Sequence, residues 1–202
     1  MTRSRAILAW IALGLATAVP LAVAASSPLL AYRTPIYIAA GLAGVVAMGF
    51  LLVQPLLAGG YMPGLATAWS RRLHRTVGLA LVAAVLVHVG ALWITSPPDV
   101  IDVLLLRSPT PFSLWGVAAM WAVLAAALLA VLRHRLRIAP RRWRLAHTTL
   151  AIVTVVGSAI HAMLIEGTMG TVSKAALCAM ALGATAWVVV ERRAWASAAR
   201  RR

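Results

Sequence analysis

Four histidines stand in or at the edge of apolar runs, in two pairs of equal spacing: His74 with His88, and His147 with His161. Fourteen residues of α-helix rise ~21 Å and make almost four whole turns, so both rings of a pair leave nearly the same face. The angular mismatch is about 40° in an ideal helix, and slight supercoiling toward 3.5 residues per turn removes it. Two such helices side by side make two stacked His–His pairs at two depths. One neutral imidazole from each side of a porphyrin plane is the axial ligation of a b-type haem. The spacing therefore predicts a cage for two haems, with His74 and His147 at one level and His88 and His161 at the other.

Other chemistries fit less well. A lone histidine in a membrane span can simply bond to a helix backbone or line a polar cavity, but two pairs of identical spacing are a poor match to that reading. A separation of ~21 Å between levels excludes a dinuclear metal cluster. Proton relays usually recruit carboxylates, and no Asp or Glu lies deep in an apolar run. His134 sits among Arg133, Arg135 and Arg137 and reads as a solvated or headgroup-facing residue. Trp93, Trp115 and Trp143 fall near expected interfaces, where an aromatic belt accounts for them. Trp121 falls inside its run, where core packing or packing between haems is expected. One turn from the histidines toward the bilayer centre stand Gly78, Ala84, Ala151 and Gly157. The two glycines are expected to let a porphyrin plate lie against the backbone.

The elements that position these residues follow from hydropathy. The chain has 202 residues, 62% of them hydrophobic, and a mean hydropathy of +0.91. Those values exclude an ordinary soluble domain. Six apolar runs are long enough to cross a bilayer: about 6–25, 36–58, 74–95, 111–132, 145–165 and 171–190. Turn residues separate them, among them Gly59-Gly60, Ser96-Pro97-Pro98 and Pro140. No run alternates with period two, so the expected fold is all-α: a polytopic membrane protein with one transmembrane domain over 1–202, a six-helix bundle.

Net charge is +15. The arginines cluster at the ends of apolar runs, so the charge reads as topology and not as a nucleic-acid surface. With the N-terminus in the cytoplasm, sixteen of the nineteen Lys and Arg residues lie inside, leaving only Arg33, Arg107 and Lys174 outside. Both termini are then expected in the cytoplasm, in a bacterial inner membrane. The first run also has the form of a secretory signal peptide, with Arg3 and Arg5 before it and Ala22-Val23-Ala24 at its end. Its removal would leave the other five helices in the same orientation. The single cysteine, Cys178, forms no intrachain disulfide. Nothing resembles a phosphate-cradling glycine loop. Most inner arginines read as topological signal and lipid contact. Arg75 and Arg144 are candidates to pair with the carboxylates of the inner haem.

The segment Arg72-Leu73-His74-Arg75-Thr76-Val77-Gly78-Leu79, followed by His88, resembles the ferric reductase-like transmembrane superfamily, as does Trp143-Arg144-Leu145-Ala146-His147 followed by His161. That superfamily includes ferric reductases, NADPH oxidases and the haem-binding subunit of the periplasmic methionine sulfoxide reductase system, and the likeness covers about 36–190. It implies a six-helix bundle passing electrons outward through two stacked haems b, with the four histidines as iron ligands. The cytochrome b of quinol–cytochrome c reductases shares the histidine spacing but has more helices. No flavin or nicotinamide domain follows the last apolar run, so the expected electron donor is a separate flavin reductase or quinol. The expected acceptor is outside: ferric iron, a periplasmic reductase or oxygen. The expected activity is that of an electron-transfer component of an oxidoreductase. Two alternatives are a haem-binding membrane subunit of a periplasmic reductase system and a non-redox protein that handles haem.

Overall fold

In a lipid environment every backbone N–H and C=O needs a partner within the protein, and helices supply those partners locally. The computed structural model describes residues 3–191, and its long elements are all of this kind. They are α1 (Arg3–Ala25), α2 (Pro35–Gly59), α3 (Thr67–Thr95), α4 (Pro97–Leu104), α5 (Pro111–Leu132), α6 (Pro140–Leu164) and α7 (Thr171–Glu191). All but α4 are long and apolar enough to cross a membrane. The arginines at 192, 193 and 200–202, counted in the charge asymmetry, lie outside the described residues.

Helix ends follow local rules. Thr34 caps α2, its hydroxyl accepting from the Tyr37 amide, and Pro35 follows at the first helical position. Gly60 closes the same helix at φ 73°, a left-handed conformation that glycine adopts without strain. Two helices start earlier than hydropathy indicates. The first is α3, which begins at Thr67, and the second is α6, which begins at Pro140. Their first two turns carry arginines, which lower hydropathy without opposing helix formation. His74 and His147 consequently lie seven residues inside their helices, two turns from the end. The expected break at Ser96-Pro97-Pro98 is also more than a turn. It opens the eight-residue helix α4, with Pro97 at its first position.

Packing makes a ring of five long helices. Next to α3 lies α2, followed by α7, α6 and α5, and α5 returns to meet α3 along a shorter seam. Outside the ring, α1 lies against α2 and α7, with Trp10 Nε1 donating to the Pro63 carbonyl at 3.0 Å. The core mixes small and branched residues, including Ala47 and Leu51 of α2, Leu81 of α3, Val155 of α6, and Leu177 and Ala181 of α7. Small side chains let helix backbones approach where lipid provides no hydrophobic drive to associate. The outer faces carry Leu8, Leu79, Val131 and Trp187, each more than half exposed and suited to lipid.

The two histidine-bearing helices are not side by side. Each packs on its own hairpin partner, α3 on α2 and α6 on α5, and the two stand opposite one another across the ring without a shared packing seam.

Candidate functional site

The space between α3 and α6 is bridged at two levels by histidine rings. His74 and His147 face each other near the arginine-bearing helix ends, with ring centroids 6.3 Å apart and planes at 75°. Toward the opposite end His88 and His161 do the same at 6.4 Å and 83°. Pairing by level requires α3 and α6 to run parallel. All four rings are half-buried.

Neighbouring helices hold three of the rings. His88 Nδ1 lies 2.7 Å from the Ala40 carbonyl of α2, and His161 Nδ1 lies 2.9 Å from the Phe112 carbonyl of α5. His74 Nδ1 lies 3.3 Å from the Gln54 carbonyl. Gln54 returns the contact, its Nε2 donating to the His74 carbonyl at 3.1 Å. An N–H on Nδ1 that donates to a carbonyl leaves Nε2 as the free lone pair, the tautomer a metal takes. His147 is held differently. Its Nδ1 makes no close hydrogen bond, although the Ala126 carbonyl of α5 stands beside the ring. The ring instead stacks on Trp143, centroids 5.1 Å apart and planes within 11°.

Glycines make room for the rings nearer the arginine-poor end. A Cβ on Gly44 of α2 would stand 3.1 Å from His88 Nδ1, and one on Gly116 of α5 would stand 2.6 Å from His161 Nδ1. The glycines singled out from the sequence act elsewhere. A Cβ on Gly78 would meet Gln54 Nε2 at 3.2 Å, and one on Gly157 would meet the Trp115 carbonyl at 3.0 Å. Both therefore serve close packing within a hairpin, α3 on α2 and α6 on α5, and not the space between α3 and α6.

Several other expectations change. Trp121 is 57% exposed on the outside of α5, so it neither packs in the core nor between the levels. Trp143 is a contact of His147 and not only an interfacial residue. Lys174, counted on the outer side, is buried in the first turn of α7 and donates to the Ile165 carbonyl at 2.6 Å, satisfying the C-terminus of α6. Arg75 and Arg144 are exposed on α3 and α6, beside the level of His74 and His147. His134 is exposed, as its surroundings suggest. Gln54 was missed, although a lone amide in an apolar run was a legible signal. Gly44 and Gly116 carried no such mark.

The donor set suits one kind of group. Among the described residues no three or more His, Cys, Asp or Glu gather as a metal site would require. The histidines meet only in twos, so a metal between them needs its remaining ligands from elsewhere, as iron in a porphyrin has. Ring centroids 6.3 and 6.4 Å apart would leave room for one metal ion between the imidazoles of each pair.

Six membrane-crossing helices define a multi-pass membrane protein, with two histidine pairs at two levels between α3 and α6. The family model of the ferric reductase like transmembrane component matches residues 43–158, from the middle of α2 into α6. The chain belongs to the ferric reductase-like transmembrane family, whose members generally bind haem, and is accordingly a membrane electron-transfer component. No curated protein and no solved structure matches it.

Proposed function

We propose that the protein is a dihaem b-type membrane cytochrome carrying electrons from a cytoplasmic flavoprotein or quinol to an acceptor outside. The observation that carries this reading is the double bridge: two His–His pairs at 6.3 and 6.4 Å across two helices that do not otherwise pack together. His74 and His147 would hold one haem, and His88 and His161 the other. A bound haem supplies one-electron exchange between ferric and ferrous iron. What the chain does is orient and insulate. The carbonyls of Gln54, Ala40 and Phe112 set the ligand tautomers. Leu51, Leu81 and Val155 fill the core and keep water out. Arg75 and Arg144 would pair with haem carboxylates at the arginine-rich end. By the charge bias that end is cytoplasmic, and the protein would act as one transmembrane domain in a bacterial inner membrane. At the other end a cleft of about 400 Å³ opens between α4 and α5, lined by Val103, Ser108, Thr110, Ser113 and Trp115. It adjoins Phe112, the residue whose carbonyl bonds His161, and offers a place for the acceptor.

The test is haem stoichiometry in detergent by pyridine haemochrome, with about two haems per chain expected. His74→Ala and His147→Ala should each remove the same haem, and His88→Ala and His161→Ala the other. A wild-type ratio near zero after expression with ample haem, or losses grouped by helix instead of by level, would sink the reading. Ring planes at 75° and 83° within the two pairs further predict strongly anisotropic low-spin ferric EPR signals from haem iron that they would hold.

A further inference from the structure

The two histidine-bearing hairpins correspond in register. Ala40, Gly44 and Gln54 of α2 correspond to Phe112, Gly116 and Ala126 of α5, each seventy-two residues later, and His74 and His88 correspond to His147 and His161, seventy-three later. In this register Ser70 of α3 corresponds to Trp143 of α6, each four residues before its histidine. Ser70 is buried and donates to the Leu57 carbonyl of α2 at 2.7 Å, away from the histidine. Trp143 lies flat on the His147 ring, and the guanidinium of Arg133 sits over Trp143, 4.5 Å from its ring centre. His147 is also the one ligand candidate whose Nδ1 has no hydrogen-bond partner. The Trp143 Nε1 is likewise buried without one. The carbonyl contact that orients the other three rings is looser at His147, where the Ala126 carbonyl stands beside the ring, and there the aromatic stack is present.

We propose that Trp143 is the positioning residue of His147, clamped by Arg133, and that stacking there replaces the carbonyl contact that orients His74, His88 and His161. This rests on the dihaem reading above. Stacking restrains the plane of an imidazole but leaves its Nδ1–H undonated. A ligand whose Nδ1–H is not donated is a weaker electron donor to iron than one bonded to a carbonyl. The His74–His147 haem therefore has one unassisted ligand, and the His88–His161 haem has none. A cation over the indole is attracted by the negative ring face and holds the stack from outside.

The experiment uses the full chain, purified in detergent with its haems, and reads ferric EPR and redox titrations of Trp143→Leu, Trp143→Phe and Arg133→Gln. In Trp143→Leu one haem alone, the one that His147→Ala removes, should shift its largest g value. The midpoint of that haem should fall as the freed ring finds an acceptor. Trp143→Phe keeps an aromatic face and should restore the wild-type signal. Arg133→Gln should shift the same haem by less. Unchanged signals in Trp143→Leu, or equal changes in both haems, overturn the proposal. If Trp143→Leu does not accumulate, Arg133→Gln decides, and an unaltered signal from it overturns the proposal. A wild-type protein without haem is a different result, since it removes the dihaem reading before any variant is compared.

Discussion

Hairpins α2–α3 and α5–α6 share one plan and execute it with different side chains. In both, the second helix carries two histidines fourteen residues apart. In both, the first helix offers a carbonyl and, four residues later, a glycine to the histidine at the arginine-poor end: Ala40 with Gly44, and Phe112 with Gly116. Toward the arginine-rich end the two diverge. The first hairpin locks His74 with the amide of Gln54 and anchors its helix through Ser70. The second has Ala126 and Trp143 at those positions and holds its ring by stacking. The arginine-poor pair is thus the more symmetric, and the other pair is where the hairpins were free to differ.

The largest effect is expected where the likeness is closest. Gly116→Ala drives a methyl to 2.6 Å from His161 Nδ1, inside any tolerable contact, with α5 backbone behind it. Haem content should fall from about two toward one per chain, measured by pyridine haemochrome, with the His88–His161 signal the one lost. Gly44→Ala meets His88 at 3.1 Å, a distance that a small ring shift relieves. Both haems should stay, and the same haem should show a displaced EPR signal. Equal outcomes for the two variants would mean that the tighter approach at Gly116 does not distinguish the two hairpins.

Gln54→Ala makes the first hairpin resemble the second at its point of divergence. It removes the Nε2 bond to His74 and leaves a void beside Gly78. We expect about 1–2 kcal/mol of destabilisation from the lost bond and the incomplete collapse of the site. Thermal unfolding monitored at the Soret band should show it, and a melting point equal to wild type would mean that Gln54 does not stabilise the pair. Ser70→Ala should have the smallest effect, about 0.6 kcal/mol, the average for a hydrogen bond between membrane helices. Leu57 keeps a second donor in the Gly60 amide at 3.1 Å, so no buried acceptor is abandoned. A loss above about 2 kcal/mol would show that Ser70 has a further role.

Much of this was legible along the chain. Fourteen-residue spacing places both rings of a helix on one face because rise and twist per residue are local constants, and the pairs do meet by level. Six spans were countable because hydrocarbon thickness sets a length and apolar composition marks it. The helix starts were less legible, since arginine turns before His74 and His147 read as interface although their backbone is already helical. Gly78 and Gly157 mark close approach, but close approach to which helix is not a property of the sequence around them. Trp121 and Trp143 were both read from depth alone. One faces outward and the other covers a histidine, a difference of rotation about the helix axis and not of depth.

By itself the sequence determined the number of spans, the pairing of histidines along each helix, the uneven distribution of arginines and the family. Tertiary structure alone decided that α3 and α6 face each other across a ring instead of packing together, that Ala40, Phe112 and Gln54 provide the orienting carbonyls, and that Trp143 covers His147. The physical reason lies in the solvent. In water a helix shows its buried face by the contrast between apolar and polar stripes. In lipid both faces are apolar, so the sequence records that a helix spans but not which side turns inward. That choice is made by steric fit between helices and by the few polar groups that find partners.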